Sequence, residues 1–172
     1  KEKNHSIKIS PLKGNPIVYI RLSSNLIKND GSYGEIIHTV NRQKRVEVVT
    51  SGKKKTSKTK WYTLTSLNEQ QFEIRGPAKV RAFSRLKYDG ISMADEYFIF
   101  VREDGIDLGT YYFHTEKSDE SSLIDSMEPV GKWRSIWINI PKGKHHYTLS
   151  LPRIDNSNNQ TVFIRLKEWN EE

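Results

Sequence analysis

The residues best suited to binding chemistry lie on one segment, Trp133 to Ile140 (WRSIWINI). Its period of two predicts a strand whose isoleucines form the core face. Trp133, Trp137 and Asn139 would then share the other face, with the two indole rings about 13 Å apart along the strand. Exposed indoles beside an amide suit the apolar face and the hydroxyl groups of a sugar ring. The alternative is that this face is buried as well, or that a loop covers the tryptophans.

A second candidate binding surface is the segment Ala78 to Tyr88 (AKVRAFSRLKY), in which apolar and basic residues alternate. The alternation predicts a half-buried strand with four cations on its solvent face. These are Lys79, Arg81, Arg85 and Lys87, and they flank Phe83. Such a row of cations suits a phosphate, sulfate or carboxylate polymer. The alternative is a solvated face paired to acidic residues of the next strand, for which Glu73 and Glu96 are candidates.

Signatures of catalysis and of metal binding are missing from the sequence. There is no cysteine, and the common metalloprotease, hydrolase, dinucleotide and P-loop motifs do not occur. His145 and His146 would point to opposite faces of one strand, so they could not both ligate one ion from it. We therefore expect no catalytic residue, no metal and no cofactor. A glycan-active enzyme stays an alternative, which would need two carboxylates converging in a cleft.

The net charge of +7 is concentrated in the first third of the chain. Residues 1–60 hold 14 Lys and Arg against 4 Asp and Glu, whereas residues 61–172 hold 14 against 17. Part of the excess lies in a predicted Lys-rich loop, Ser51 to Lys60, of a kind that can touch nucleic acid. The loop lacks aromatic residues for stacking on bases, and no nucleic-acid-binding motif accompanies it. Nucleic acid is therefore not an expected partner, and no apolar run is long enough to predict a membrane span.

The elements that must position these residues are strands separated by turns. Beyond Trp61 the strand patterns follow one another without an amphipathic helix between them. Asp104-Gly105 marks a hairpin, Gly76-Pro77 and residues 141–144 mark turns, and residues 116–129 are expected to form a polar loop. This pattern predicts an all-β fold, an antiparallel β-sandwich of jelly-roll-like type with no substantial helix.

Residues 1–172 are expected to form a single β-sandwich domain, since the length suits one core. Residues 61–169 would be its strand-rich part. Residues 1–60 would add the Lys-rich loop and further strands, at Ile17 to Leu22 and at Arg45 to Thr50. A small separate N-terminal unit is the alternative.

The segment Trp133 to Leu151 places a tryptophan strand before Ile-Pro-Lys-Gly-Lys-His and a second alternating strand. In this it resembles the closing hairpin of extracellular β-sandwich modules, among them carbohydrate-binding modules with a galactose-binding-like or jelly-roll fold. The resemblance implies a sandwich and sugar binding.

These observations together predict a non-catalytic binding module of an exported bacterial protein, with a glycan-like ligand. Its expected location is the periplasm, the cell surface or the medium. The alternative is a structural or protein-interaction domain of a cell-envelope assembly, in which the same tryptophans meet a partner protein.

Overall fold

The computed structural model describes residues 31–35, 44–52, 55–88, 94–152 and 160–171, and these contain strands and turns but no helix. Consequently no helix in the described part of the chain is long and apolar enough to cross a membrane. The described residues form nine strands, which are β1 (Gly31–Glu35), β2 (Arg45–Ser51), β3 (Thr56–Leu64), β4 (Gln70–Leu86), β5 (Ala94–Glu103), β6 (Ile106–Leu123), β7 (Pro129–Gly131), β8 (Arg134–Ser150) and β9 (Val162–Glu171).

Seven of these strands close into a ring through antiparallel hydrogen bonds. The order around the ring is β9-β3-β2-β6-β5-β8-β4, and β4 pairs back onto β9. β1 lies along the second half of β9, and β7 lies along β6. The prediction of an all-β antiparallel fold is confirmed for the described residues, which contain no helix. The ring differs from the expected sandwich because its pairing runs on continuously and does not divide into two separate sheets.

The two long strands β4 and β8 pair along almost their whole length. Their pairing has one irregularity near its middle, which we call the bend because strands commonly bend at such a point. Gly76 of β4 lies opposite Gly143 of β8, and the register shifts between Gly76 and Ala78. The predictions of turns at Gly76-Pro77 and at residues 141–144 are therefore wrong, since both segments lie inside strands. A Cβ at Gly76 would lie 1.9 Å from the carbonyl oxygen of Pro141. Glycine is required there because the two backbones approach so closely.

The main hydrophobic core fills the inner face of the ring. The predicted alternation in β4 is confirmed, because Val80, Ala82 and Leu86 are buried in this core. The isoleucines of β8 are buried opposite them, as the period of two predicted. Buried tyrosines retain hydrogen bonds, as in the pair between the hydroxyl groups of Tyr97 and Ser84 at 2.8 Å. The burial of aliphatic and aromatic side chains on this face is the principal stabilising contribution.

A second, smaller core lies on the outer face of β4 and β9. It consists of Val48, Trp61, Leu123, Val130 and Phe163, with Val46 and Phe83 packed against it. The end of β6 and the short β7 cover this face. The prediction of a polar loop over residues 116–129 is therefore wrong for most of its length, since β6 continues to Leu123. The misleading signal was the mostly polar composition of a strand that is largely exposed on one side.

The N-terminal predictions have mixed outcomes. The predicted strand at Arg45 to Thr50 is confirmed as β2. The Lys-rich segment is only partly a loop, because β3 begins at Thr56 and carries Lys58 and Lys60 in pairing with β2. The predicted strand at Ile17 to Leu22 lies outside the described residues.

Candidate functional site

The pairing of β4 with β8 brings the two predicted binding surfaces together on one outer face. Arg81 lies opposite Trp137, and Lys79 lies opposite Asn139. In the sequence the basic strand and the tryptophan strand are separate candidates, because strand pairing over such a separation leaves no local signal. The structure makes them one continuous surface.

Arg81 is at the centre of this surface. Its guanidinium carbon lies 4.7 Å from the ring centre of Phe83, 5.4 Å from that of Trp133 and 5.1 Å from that of Trp137. Its Nε donates a hydrogen bond of 3.1 Å to the hydroxyl oxygen of Ser135. We call these five residues (Arg81, Phe83, Trp133, Ser135 and Trp137) the Arg81 surface. The three distances from the guanidinium carbon to the ring centres all lie within the range in which a cation is attracted by the face of an aromatic ring.

The two predicted tryptophans differ in how far they meet solvent. The Trp133 side chain is 49% exposed and contacts Phe83 edge-on, with ring centres 5.6 Å apart. Trp137 is only half-buried, and its ring stands at 90° to that of Trp169 with the centres 6.0 Å apart. Sequence reasoning missed Trp169, which is buried in the last strand. Trp133 is therefore the open platform, and Trp137 is partly enclosed by neighbouring side chains.

Two exposed polar residues that were predicted to bind the ligand lie at one end of the Arg81 surface. Lys79 and Asn139 are both exposed and face each other across the strand pair. The two carboxylates considered as partners for this basic face contact other residues. Glu73 lies 2.7 Å from the ammonium group of Lys144, and Glu96 lies 3.7 Å from the imidazole of His114. The basic strand is thus flanked by β8 and β9 and not by the strand that carries Glu96.

Arg85 does not belong to the exposed surface, and its prediction as a binding residue needs correction. It lies on the expected face of β4, but it is only 7% exposed because the second core covers it. One guanidinium nitrogen donates a 2.7 Å hydrogen bond to the carbonyl oxygen of Gly131, and the group lies 5.5 Å from the ring centre of Trp61. Burial lowers the pKa of Arg85 from its usual value. Its position indicates a structural cation that joins β4 to β7.

A second polar cluster, which sequence analysis did not predict, surrounds His145. Its Nδ1 lies 3.0 Å from Asp104 Oδ2 and 3.1 Å from Glu103 Oε1. The hydrogen bond to Asp104 raises the pKa of His145. The backbone N–H of His146 and the imidazole lower the pKa of Asp104. The cluster lies beyond the bend at Gly143 and joins the turn after β5 to β8.

The sequence matches no protein-family model and no curated protein. Among solved structures, the Agl-KA catalytic domain aligns at a TM-score of 0.49 and 10% identity, over 87% of this chain and 30% of that protein. An exo-β-1,3-galactanase from Phanerochaete chrysosporium aligns at 0.41 and 10% identity, over 82% and 29% respectively. The CBM36-1 domain of a multidomain xylanase from the hindgut metagenome of Trinervitermes trinervoides aligns at 0.35 and 9% identity, over 76% and 98%.

These three structures, two of them carbohydrate-active enzymes and one a CBM36 domain, resemble this chain weakly, with TM-scores below 0.5. The chain spans about 30% of the length of the first two. Likeness at this level assigns neither a function nor a ligand. The ligand of this chain must therefore be argued from its own surface.

Proposed function

We propose that this chain is a non-catalytic glycan-binding module of an exported bacterial protein and that its ligand lies on the Arg81 surface. The observation that carries the proposal is the half-exposed indole of Trp133, fixed against Phe83 and beside the Arg81 guanidinium. A flat apolar ring of this kind suits the apolar face of a pyranose. Because neighbouring contacts already hold the ring, binding would cost little side-chain entropy.

The polar neighbours indicate which glycans would be preferred. Asn139 offers both a donor and an acceptor for sugar hydroxyl groups. Lys79 and Arg81 place positive charge next to the platform, which favours sugars that carry carboxylate or sulfate groups. The proposed ligand is therefore a polysaccharide with anionic substituents, bound through Trp133, Trp137 and Asn139 and oriented by Lys79 and Arg81.

Affinity electrophoresis through gels containing neutral or acidic polysaccharides tests this proposal. We expect an acidic polysaccharide to retard the wild-type chain, and Trp133→Ala and Trp137→Ala to abolish most of the retardation. Tyr112→Ala is the matched control, because Tyr112 is a half-buried aromatic residue that contacts Phe98 on the β5–β6 pair. If no polysaccharide retards the wild type, or if Tyr112→Ala weakens retardation as much as Trp133→Ala, the proposal is wrong.

The alternative function, a protein-interaction domain, has support from the same exposed indole. Tryptophan and arginine are enriched among the residues that dominate protein–protein binding energy. In that case the Trp133→Ala variant would lose a protein partner while polysaccharides left the wild type unretarded. The glycan-active enzyme has less support, because Glu103 and Asp104 converge on His145 beyond the bend in β8, not beside the Arg81 surface.

Two broader predictions belong to the same proposal. The ring would be flattened into a jelly-roll-like sandwich. The register shift between Gly76 and Ala78, opposite Gly143, supports this, because paired strands commonly bend at such irregularities. The protein would act in the periplasm, at the cell surface or outside the cell, where polysaccharides are accessible. Fractionation of the producing cells tests this location, and recovery only from the cytosol would contradict it.

A further inference from the structure

Three side chains with metal-ligating atoms converge at the tip of the β5–β6 hairpin. Glu103 ends β5, Asp104 occupies the turn, and His145 follows the bend in β8. One carboxylate oxygen from each acid and one imidazole nitrogen all lie within 4.8 Å of one another. Glu103 and His145 are largely shielded, with side chains 20% and 18% exposed, whereas Asp104 is 51% exposed.

We propose that Glu103, Asp104 and His145 bind a divalent transition-metal ion of the Zn²⁺ class. Two ligand atoms that are each about 2.1 Å from a tetrahedral ion lie about 3.4 Å apart. The separations of 3.0 Å and 3.1 Å from His145 Nδ1 to the two carboxylates are shorter than this by less than about half an ångström, so small side-chain movements would admit an ion. Two carboxylates and a neutral imidazole also carry a charge of −2, which balances a divalent cation.

The groups around the cluster hold each donor in place. The hydroxyl group of Tyr147 donates a 2.6 Å hydrogen bond to Glu103 Oε1, and the backbone N–H of His146 donates one of 2.9 Å to Asp104 Oδ1. On its other side, His145 Nε2 faces the carbonyl oxygen of Lys142 at 3.5 Å. With a proton kept on Nε2, the Nδ1 lone pair becomes available to an ion once the proton that Nδ1 shares with the carboxylates has left. Orienting partners of this kind are characteristic of histidine ligands to metals.

The chemistry of the donors selects the type of ion. Ca²⁺ and Mg²⁺ prefer shells of oxygen atoms, whereas imidazole nitrogen together with carboxylate favours Zn²⁺, Co²⁺ and similar ions. On binding, the ion replaces the proton that Nδ1 shares with the two carboxylates, and that proton is released to solvent. The exposed side of Asp104 leaves room for water to complete the coordination. The bound ion would fasten the β5–β6 hairpin to the bend in β8.

Isothermal titration calorimetry of the full chain with ZnCl₂, after treatment with a chelator, tests the proposal. We expect one saturable site that Mg²⁺ and Ca²⁺ do not occupy. His145→Gln and Asp104→Asn should each weaken Zn²⁺ binding at least tenfold. His114→Gln is the matched control, because His114 is also a strand histidine but lies near one carboxylate, that of Glu96, and it should leave the affinity unchanged.

Absence of saturable Zn²⁺ binding to the wild type overturns the proposal, as does an equal loss in His114→Gln and His145→Gln. If the cluster variants do not fold, the position of the ion can still be located in the wild-type chain by NMR with paramagnetic Co²⁺. We expect Co²⁺ to broaden first the backbone signals of Glu103, Asp104 and His145. Broadening that begins elsewhere in the chain would show that the ion binds at a different place.

Discussion

Arg81 should stabilise the fold through its contacts on the Arg81 surface, and this contribution can be measured directly. The variant Arg81→Ala removes the guanidinium from its contacts with the rings of Phe83, Trp133 and Trp137 and removes the hydrogen bond to Ser135. A cation–π contact at a partly exposed site is worth about 0.5–1 kcal/mol, and a hydrogen bond contributes about 1 kcal/mol. Because all the contacts share one group, they do not add fully. We expect Arg81→Ala to lower the free energy of unfolding by about 2–3 kcal/mol.

Urea denaturation, followed by tryptophan fluorescence, measures this loss. In a chain of this length the same change lowers Tm by roughly 5–10 °C. Arg81→Lys is the informative companion, since lysine keeps the charge but lacks the planar group and the Nε donor, and it should lose more than half of the stabilisation. A double-mutant cycle should give a coupling of about 0.5–1 kcal/mol between Arg81 and Trp133. A loss below about 0.5 kcal/mol, typical of an isolated surface residue, would refute the reasoning.

Three further variants test the rest of the structure. Gly76→Ala should destabilise the fold by more than about 2 kcal/mol or prevent folding, because its Cβ would overlap the Pro141 carbonyl oxygen. Arg85→Ala should cost about 2–4 kcal/mol in urea denaturation, because it leaves a cavity beside the second core and removes a buried hydrogen bond to the Gly131 carbonyl oxygen, yet it should leave polysaccharide retardation unchanged. Lys132→Gln should raise the pKa of Glu116 in an NMR titration, because the Lys132 ammonium lowers that pKa.

The lowered pKa of Glu116 also determines how its ion pair with Lys132 contributes to stability at different pH values. Since the pKa is depressed in the folded state, the ion pair stabilises the fold above the unfolded-state pKa, and this contribution is lost as the pH falls through the folded-state value. An unchanged Glu116 pKa in Lys132→Gln would contradict this prediction.

Gly109→Ala is the control for Gly76→Ala, because a Cβ at Gly109 would meet only an ordinary contact at 3.9 Å. A stable Gly76→Ala variant, or weaker retardation in Arg85→Ala, would contradict the structure.

Much of the fold followed from local patterns. The alternation in Ala78 to Tyr88 identified the core face of β4 correctly, and the Asp104-Gly105 turn lies where the hairpin was predicted. These features depend on neighbouring residues, for which a period of two and turn chemistry suffice. The predictions of turns at Gly76-Pro77 and at residues 141–144 were wrong because glycine and proline also mark bends within long paired strands.

The candidate site was only partly accessible to sequence reasoning. The types and faces of Trp133, Trp137 and Arg81 were apparent, but their meeting depends on the register between β4 and β8. The burial of Arg85 follows from β7 and the end of β6, which lie far away in the chain. Contacts of this kind are fixed by tertiary packing and have no local signature. That residues 1–172 form one domain stays a prediction.

The central claim, that Trp133 is a sugar-binding platform, is tested most directly by NMR of the indole N–H groups. The chain has four tryptophans, and the indole of Trp61 is buried and donates a 2.8 Å hydrogen bond to Thr59. Titration with an acidic oligosaccharide should shift the Trp133 signal most and that of Trp137 next, and should leave the Trp61 signal in place. If the Trp133 signal does not move at saturating oligosaccharide, or if Trp61 moves instead, the ligand does not bind on the Arg81 surface.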